Sequence, residues 1–501
     1  MKNIKHLLIL ILIVTSFSCS EEFLDKQPLG EPSSNILYNT EGGIQLMLNA
    51  VYGQTRDFGQ SGFGWFVVKE LGADDTEPGS NAGDGSVPRM RDFSNFKYLT
   101  TMNELNSFWS SGYALIAKAN LVIQYAPKVE FKDPALRERL MAEAKFLRSE
   151  VYFNLVRGWG GVPIVTEVAG SPAEASVVVP RSTIAEVYAF IEKDLKDAIA
   201  VLPLKKGYPA SELGRATKGA AQTLLAQVYL HQNKYSDCLA QAMNVINSGE
   251  YRMFDKYFKV SHPDYENKDE SIFEIQYTYR TEKDMPNTWQ QWQGVRGSGS
   301  GWGFFSPSAN FASSYVPDDP RKEYNIYFKG EPWPYSGETN IKWEAGTDPR
   351  ANQKTMIPRP FPAGFAGQSP LNRVVLRYAD VLLMAAECNN ELGTTTEALK
   401  YLEMIRARAR EGKNVLPQIT TADKMALRHL IWDERRWELA LEGYRAFDIR
   451  RYNKIEPGFA TALYHAIGKT DYTEPKHLLY PIPQAEIDFD VNKVLTQNPG
   501  W

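Results

Sequence analysis

ATKGAAQTLLAQVYLHQNKYSDCLAQAMNVINSGE, residues 216–250, decides the fold class. It reads as two helices joined by a short turn. Leu225, Ala226 and Tyr229 fall on one face of the first helix, and small Cys238 faces them from the second. A small residue at each crossing lets two antiparallel helices approach closely, as stacked helical repeats require. A second match lies at residues 374–410, where Ala386, Ala398, Leu402 and Ile405 take corresponding offsets; it departs at Asn389, where the first has Tyr229. The two matches start roughly 160 residues apart, too far for a plain tandem array. The pattern therefore predicts a solenoid-like scaffold interrupted by an insertion. Cys238 and Cys388 lie in these hairpins and are expected to be packing residues, not ligands.

Both hairpins have the layout of the tetratricopeptide repeat, so the expected fold is mainly α: a tetratricopeptide-like helical scaffold with a large, irregular, loop-rich insert. Upstream, apolar residues recur at three and four positions over several windows, residues 142–156 among them. Another window runs from Thr183 to about Leu202, with Ile184, Val187, Ile191, Leu195 and Ile199 on one face, Ser182 as N-cap and Pro203 as stop. The scaffold is expected over residues 42–261 and again, with a C-terminal segment, over 371–501. Between them, residues 262–370 hold 12 of the 29 prolines and 5 of the 11 tryptophans. Proline at that density removes helix hydrogen bonds repeatedly, which predicts loops and short strands. Loops this long in a folded chain point to function, and the aromatic content argues against disorder.

The whole chain of 501 residues is 43% apolar, enough for a sizeable core, and its formal charge is −4. That balance disfavours a nucleic-acid binder, which needs a positive excess or patch. Three cysteines exclude a disulfide scaffold and give no CxxC spacing. The histidines after the leader, His231, His262, His429, His465 and His477, lack metal-ligand spacing, so no metal and no cofactor is expected. At the N-terminus, Lys2 and Lys5 precede the apolar run from Leu7 to Val14, the layout of a secretory signal peptide over residues 1–18. The run is too short to span a membrane as a helix. Ser18-Cys19 resembles a bacterial lipoprotein cleavage site, although Ser16 stands where leucine is usual, which makes Cys19 the expected lipidation residue and 19–41 a tether. Ser20-Glu21-Glu22 looks like the acidic signal that sends lipoproteins to the outside of the outer membrane.

Several separated stretches then point one way. Glu143-Ala144-Lys145-Phe146-Leu147-Arg148 continues to Tyr152-Phe153 and to Trp159-Gly160-Gly161-Val162-Pro163. Residues 377–387 follow the insert as RYADVLLMAAE; then come Glu434-Arg435-Arg436-Trp437-Glu438-Leu439 with Glu442-Gly443 and Arg445, and the ending Tyr480-Pro481-Ile482-Pro483 with Gln497-Asn498-Pro499-Gly500-Trp501. This set resembles the SusD/RagB outer-membrane nutrient-binding lipoproteins over nearly the whole chain. The resemblance implies a tetratricopeptide-like scaffold with a ligand face built from loops. It also implies a partner, a SusC-like TonB-dependent barrel over which the lipoprotein sits as a lid. Read without the family, Arg435 and Glu438 lie three apart and can pair on one helix face, Glu434 or Glu438 needs a basic partner on another helix, and Gly443 is placed to end that helix.

The ligand candidates are aromatic. Trp289 and Trp292 precede the glycine-rich run 297–303, which contains Trp302 and leads into Phe304 and Phe305. Freely turning glycines are expected to display such rings, whose flat faces suit the C–H face of a sugar while amides and carboxylates orient hydroxyls. Trp333 and Tyr335 form a second candidate pair, and Trp65 and Asp74 precede a Gly/Ser/Asp loop at 79–86. No catalytic residue is assigned, because no HExxH, GxSxG, P-loop or dinucleotide glycine pattern occurs. The expected function is capture of an oligosaccharide at the cell surface and its delivery to the barrel without chemistry. A peptide-binding member of the same family, a surface glycoside hydrolase with hidden paired carboxylates, and a purely structural lid are the alternatives.

Overall fold

The computed structural model describes residues 34–171, 174, 177–278, 287–299, 301–361 and 367–501. The leader and Cys19 lie outside the described residues. Ten helices carry the architecture: α1 (Glu41–Gln54), α2 (Asn103–Tyr125), α3 (Pro134–Trp159), α4 (Ile184–Val201), α5 (Lys218–Leu230), α6 (Tyr235–Asn247), α7 (Tyr378–Glu391), α8 (Thr395–Arg410), α9 (Lys424–Glu438) and α10 (Arg445–Ile455). Short polar residues set several starts, as Asp133 does for α3, Thr217 for α5 and Asp423 for α9, each accepting a backbone N–H of the first turn. The start of α4 is one residue later than the sequence suggests: Thr183, not Ser182, is the N-cap. Its hydroxyl accepts from the Glu186 N–H while the Glu186 carboxylate reaches back to the Thr183 N–H, a reciprocal capping box.

The helices stack in chain order, α2 on α3, α3 on α4, α4 on α5 and α5 on α6. Helix α6 then packs directly on α7, although some 130 residues separate them in sequence. The repeat is therefore continuous in space and the intervening chain loops out. Cys238 on α6 and Cys388 on α7 are both fully buried free thiols, and their side chains meet at this junction.

Among the described residues six short strands form antiparallel pairs in and around the looped-out chain: β1 (Thr76–Gly79) with β3 (Phe304–Pro307), β2 (Ser271–Ile275) with β6 (Arg373–Arg377), and β4 (Ile326–Phe328) with β5 (Arg350–Asn352). The β2–β6 pair zips the outgoing and returning strands together, Ile275 opposite Arg373. The β1–β3 pair ties the N-terminal loop to the insert, Thr76 opposite Pro307. Two small apolar clusters sit beneath the insert, one around Phe311, Tyr315 and Trp437, the other around Tyr327, Trp333 and Met356.

A largely buried ion network clamps insert to scaffold. Arg321 of the insert binds Glu434 at 2.5 Å and Asp319 at 2.7 Å, while Arg377 reaches Glu438 and Glu442, each at 2.7 Å, and Glu270 at 2.8 Å. Arg408 adds a further bond to Glu438. Both carboxylates at the end of α9 thus find partners on other elements. The pair Arg435–Glu438 does not form: Arg435 turns instead to Asp380 and Asp448. Nor does Gly443 end the helix, which stops at Glu438; Gly443, at φ +81°, lies in the following turn, where a Cβ would come within 2.5 Å of the Trp65 ring. The residues that carry the family resemblance are likewise structural. Arg148 forks onto Asp194 and Asn120, and the Trp159 indole donates to the Pro481 carbonyl at 2.7 Å, stitching the C-terminal segment to α3.

Candidate ligand-binding site

An open cleft of about 740 Å³ lies between the 79–86 loop and the glycine-rich run of the insert. Trp302 stands on its wall and is 44% exposed, more than any other of the eleven tryptophans. Its position is fixed through the backbone: the Trp302 N–H donates to the Gln291 carbonyl at 2.6 Å, and the Gly303 N–H to the Gly294 carbonyl at 2.9 Å. Close approach is possible because Gly301 abuts Gly294, where a Cβ would come within 2.1 Å of backbone.

The polar rim is organised by Arg296. Its guanidinium donates to Glu344 at 3.0 Å, Ser80 at 3.0 Å and Asp84 at 3.2 Å, joining three loops remote in sequence. Burial opposes the charge on Arg296, but the hydrogen bonds to Glu344 and Asp84 outweigh it and raise its pKa above the ordinary arginine value. Asn81 donates to the other Glu344 oxygen at 3.2 Å. Phe63, half-buried, and Gln291 complete the part of the wall next to Trp302. An aromatic face with guanidinium, carboxylate and amide groups beside it can hold a ligand that is apolar on one side and hydroxylated at its edges. Both carboxylates of the rim bind the one guanidinium, an arrangement that fixes loops.

Of the seven candidate ligand residues, the cleft contains Trp302 alone. The expectation of display is corrected for Trp289, Trp292, Trp65 and Trp333, whose rings are 8%, 7%, 3% and 1% exposed. Trp289 donates its indole N–H to the Ser61 carbonyl at 2.6 Å and packs 4.6 Å from Trp65; Trp292 meets Phe63 edge-on at 5.5 Å. Trp333 donates to the Ile357 carbonyl and lies under the Arg359 guanidinium. Flanking glycines free the backbone, yet each ring brings so much apolar area that neighbouring aromatics bury it. Tyr335 is half-buried against His262. Asp74 is buried and gripped by Arg445 at 2.7 Å and Arg436 at 2.9 Å, which outweigh burial and hold its carboxyl well below the usual range. Arg296, Gln291 and Glu344 went unnoticed in the sequence because no local pattern marks them.

Stacked helical hairpins that carry a loop-built face with one displayed ring define a class of helical-repeat scaffold proteins. The sequence profile described as "SusD family" matches residues 365–501, and that described as "Starch-binding associating with outer membrane" matches residues 69–230. The chain belongs to the SusD/RagB family. SusD-like protein P25 of Formosa agariphila is 26% identical over 536 residues, spanning 99% of this chain and 98% of that protein. Among solved structures, a laminarin binding SusD-like protein is 27% identical with a TM-score of 0.77, covering 93% of this chain and 100% of the other. Surface glycan-binding protein A from Bacteroides thetaiotaomicron in complex with laminarihexaose superposes with a TM-score of 0.75 at 22% identity, over 92% and 100% of the two chains; at that identity the likeness speaks for the fold.

Proposed function

We propose that the protein captures an oligosaccharide in the cleft beside Trp302 and releases it chemically unchanged to a SusC-like TonB-dependent barrel. Trp302 carries this reading: it is the tryptophan left in solvent, it stands over an open cleft, and the rim beside it offers Arg296, Glu344 and Gln291 to hydroxyl groups. The ligands in the names of two structural relatives, laminarin and laminarihexaose, support a glycan and make β-glucan oligosaccharides the first to try. Lipidation at Cys19 and placement on the outer-membrane surface belong to the same reading, supported by the leader pattern and by the family description that mentions the outer membrane.

Calorimetric titration of the purified protein against a panel of glucan oligosaccharides and peptides tests it, with product analysis of the same mixtures. Saturable glycan binding with intact glycan is expected, and Trp302→Ala is expected to weaken it about tenfold or more. Cleaved glycan would establish the hydrolase, peptide binding alone the other branch of the family, and unchanged affinity in the variant would move the site elsewhere.

A further inference from the structure

Where α3, α5, β6 and the turn before α10 converge, a small recess of about 20 Å³ remains, apart from the glycan cleft. That volume holds about one water-sized occupant. Lys69, Arg157 and Arg373 all line it, together with Trp65, Glu150 and Gln227. Lys69 and Arg373 are each only 8% exposed, yet neither side chain has a hydrogen-bond acceptor or carboxylate partner among the described residues; Arg373 Nε is buried and unpaired. Both instead lie over the Trp65 ring, Lys69 Nζ 5.4 Å and the Arg373 guanidinium 5.1 Å from its centroid. The Trp65 indole N–H is also buried without an acceptor. Arg157 donates to the Phe153 carbonyl at 3.2 Å and to Asn154 at 2.6 Å, with no ion-pair partner among the described residues.

Against these three cations the wall supplies one carboxylate that has no ion pair among the described residues, Glu150, whose charge acts on all three, so positive charge is in excess. Glu150 is engaged by the Asn154 amide at 2.6 Å, and Glu442 is already claimed by Arg377 and Lys354. An uncompensated buried cation is costly, and burial together with the neighbouring Arg157 charge lowers the Lys69 ammonium to a pKa of about 7. The surroundings are rigid: a Cβ at Gly443 would approach the Trp65 ring to 2.5 Å and Lys69 Cε to 3.1 Å, so ring and ammonium stem are wedged in place.

We propose that this recess is a binding site for one small inorganic monoanion of halide size, chloride, held chiefly by Lys69 and Arg373 with the Trp65 N–H beside them. The groups there that lack a partner, the Lys69 ammonium, the Arg373 guanidinium and the Trp65 indole N–H, are all donors, which favours an occupant that only accepts. A water accepts at most two hydrogen bonds and must donate its own two, whereas a halide accepts from every side and neutralises charge.

Two measurements on the purified protein decide the matter. In crystals soaked in bromide, an anomalous peak is expected within hydrogen-bonding reach of Lys69 Nζ and the Arg373 guanidinium; its absence at saturating bromide overturns the proposal. In solution, replacing gluconate by chloride at constant ionic strength is expected to raise Tm by about 1 °C per tenfold increase in chloride above saturation. Lys69→Met should abolish that slope, and the same slope in the variant would overturn the assignment to this recess. Should the variant fail to fold, the bromide peak alone decides.

Discussion

Two arginine networks in this molecule have the same chemistry and opposite settings. At the root of the insert, Arg321 and Arg377 bind the carboxylates of Glu434, Glu438, Glu442 and Glu270, with Arg321, Glu434 and Glu438 wholly removed from solvent. At the cleft, Arg296 binds Asp84 and Glu344 with 28%, 23% and 42% of the side chains exposed. The members of the buried network are shut off from bulk solvent, so removal of one strands the others. The exposed one exchanges partners with solvent at little cost, as a site that must trade water for hydroxyl groups requires.

Breaking the comparison at its buried side should have the largest effect. Glu438→Ala leaves Arg321, Arg377 and Arg408 short of a shared carboxylate and is expected to cost about 3–5 kcal/mol in denaturant titrations, or to prevent folding. Trp289→Ala is next: truncating a core tryptophan that also satisfies the Ser61 carbonyl should cost about 3 kcal/mol, visible as a fall in Tm. The matched change Trp302→Ala should alter stability by less than about 0.5 kcal/mol while weakening glycan binding; equal losses of stability in the two variants would erase the distinction between core ring and displayed ring.

Glu70 sharpens the contrast through pH. Burial, and then the nearby Asp75 charge, raise its carboxyl to about 8 in the folded protein, where it accepts from the Gly443 N–H. The unfolded chain releases that proton near pH 4.5, so between roughly pH 4.5 and 8 the native state binds more protons and stability declines as pH rises. Glu70→Gln keeps the acceptor and cannot ionise; its Tm relative to the unmodified protein should climb from pH 5 to 8, and parallel curves would place the native pKa near its ordinary value. Arg296→Met should cost about 1 kcal/mol or less, read by thermal melts, accompanied by weaker glycan affinity as the three loops lose their common anchor.

The scaffold was legible because its signals are local. Leu225, Ala226, Tyr229 and Cys238 announce a helical hairpin within thirty-five residues, and all four are buried as the period demands. The partners of α9 were less legible. Three-residue spacing made Arg435 and Glu438 look like a pair, but Asp380 and Arg377, each more than fifty positions away, compete and win. The site was least legible. Asp84, Arg296 and Glu344 converge only because β1 pairs with β3 and Asn81 bridges to Thr347, pairings that no periodicity encodes. The tryptophans misled for a related reason: composition showed that rings were concentrated in the insert, while tertiary neighbours such as Phe63 and Phe66 decided which were covered.

Because the insert departs along β2 and returns along β6, its two ends are hydrogen-bonded neighbours, and α6 meets α7 without its help. Such a neck makes the looped-out region exchangeable: segments of other length or composition can be grafted between the same two strands while the helical stack keeps its continuity. Specificity can then diversify as a cassette, provided that each newcomer brings an arginine able to occupy the acidic socket left by Arg321.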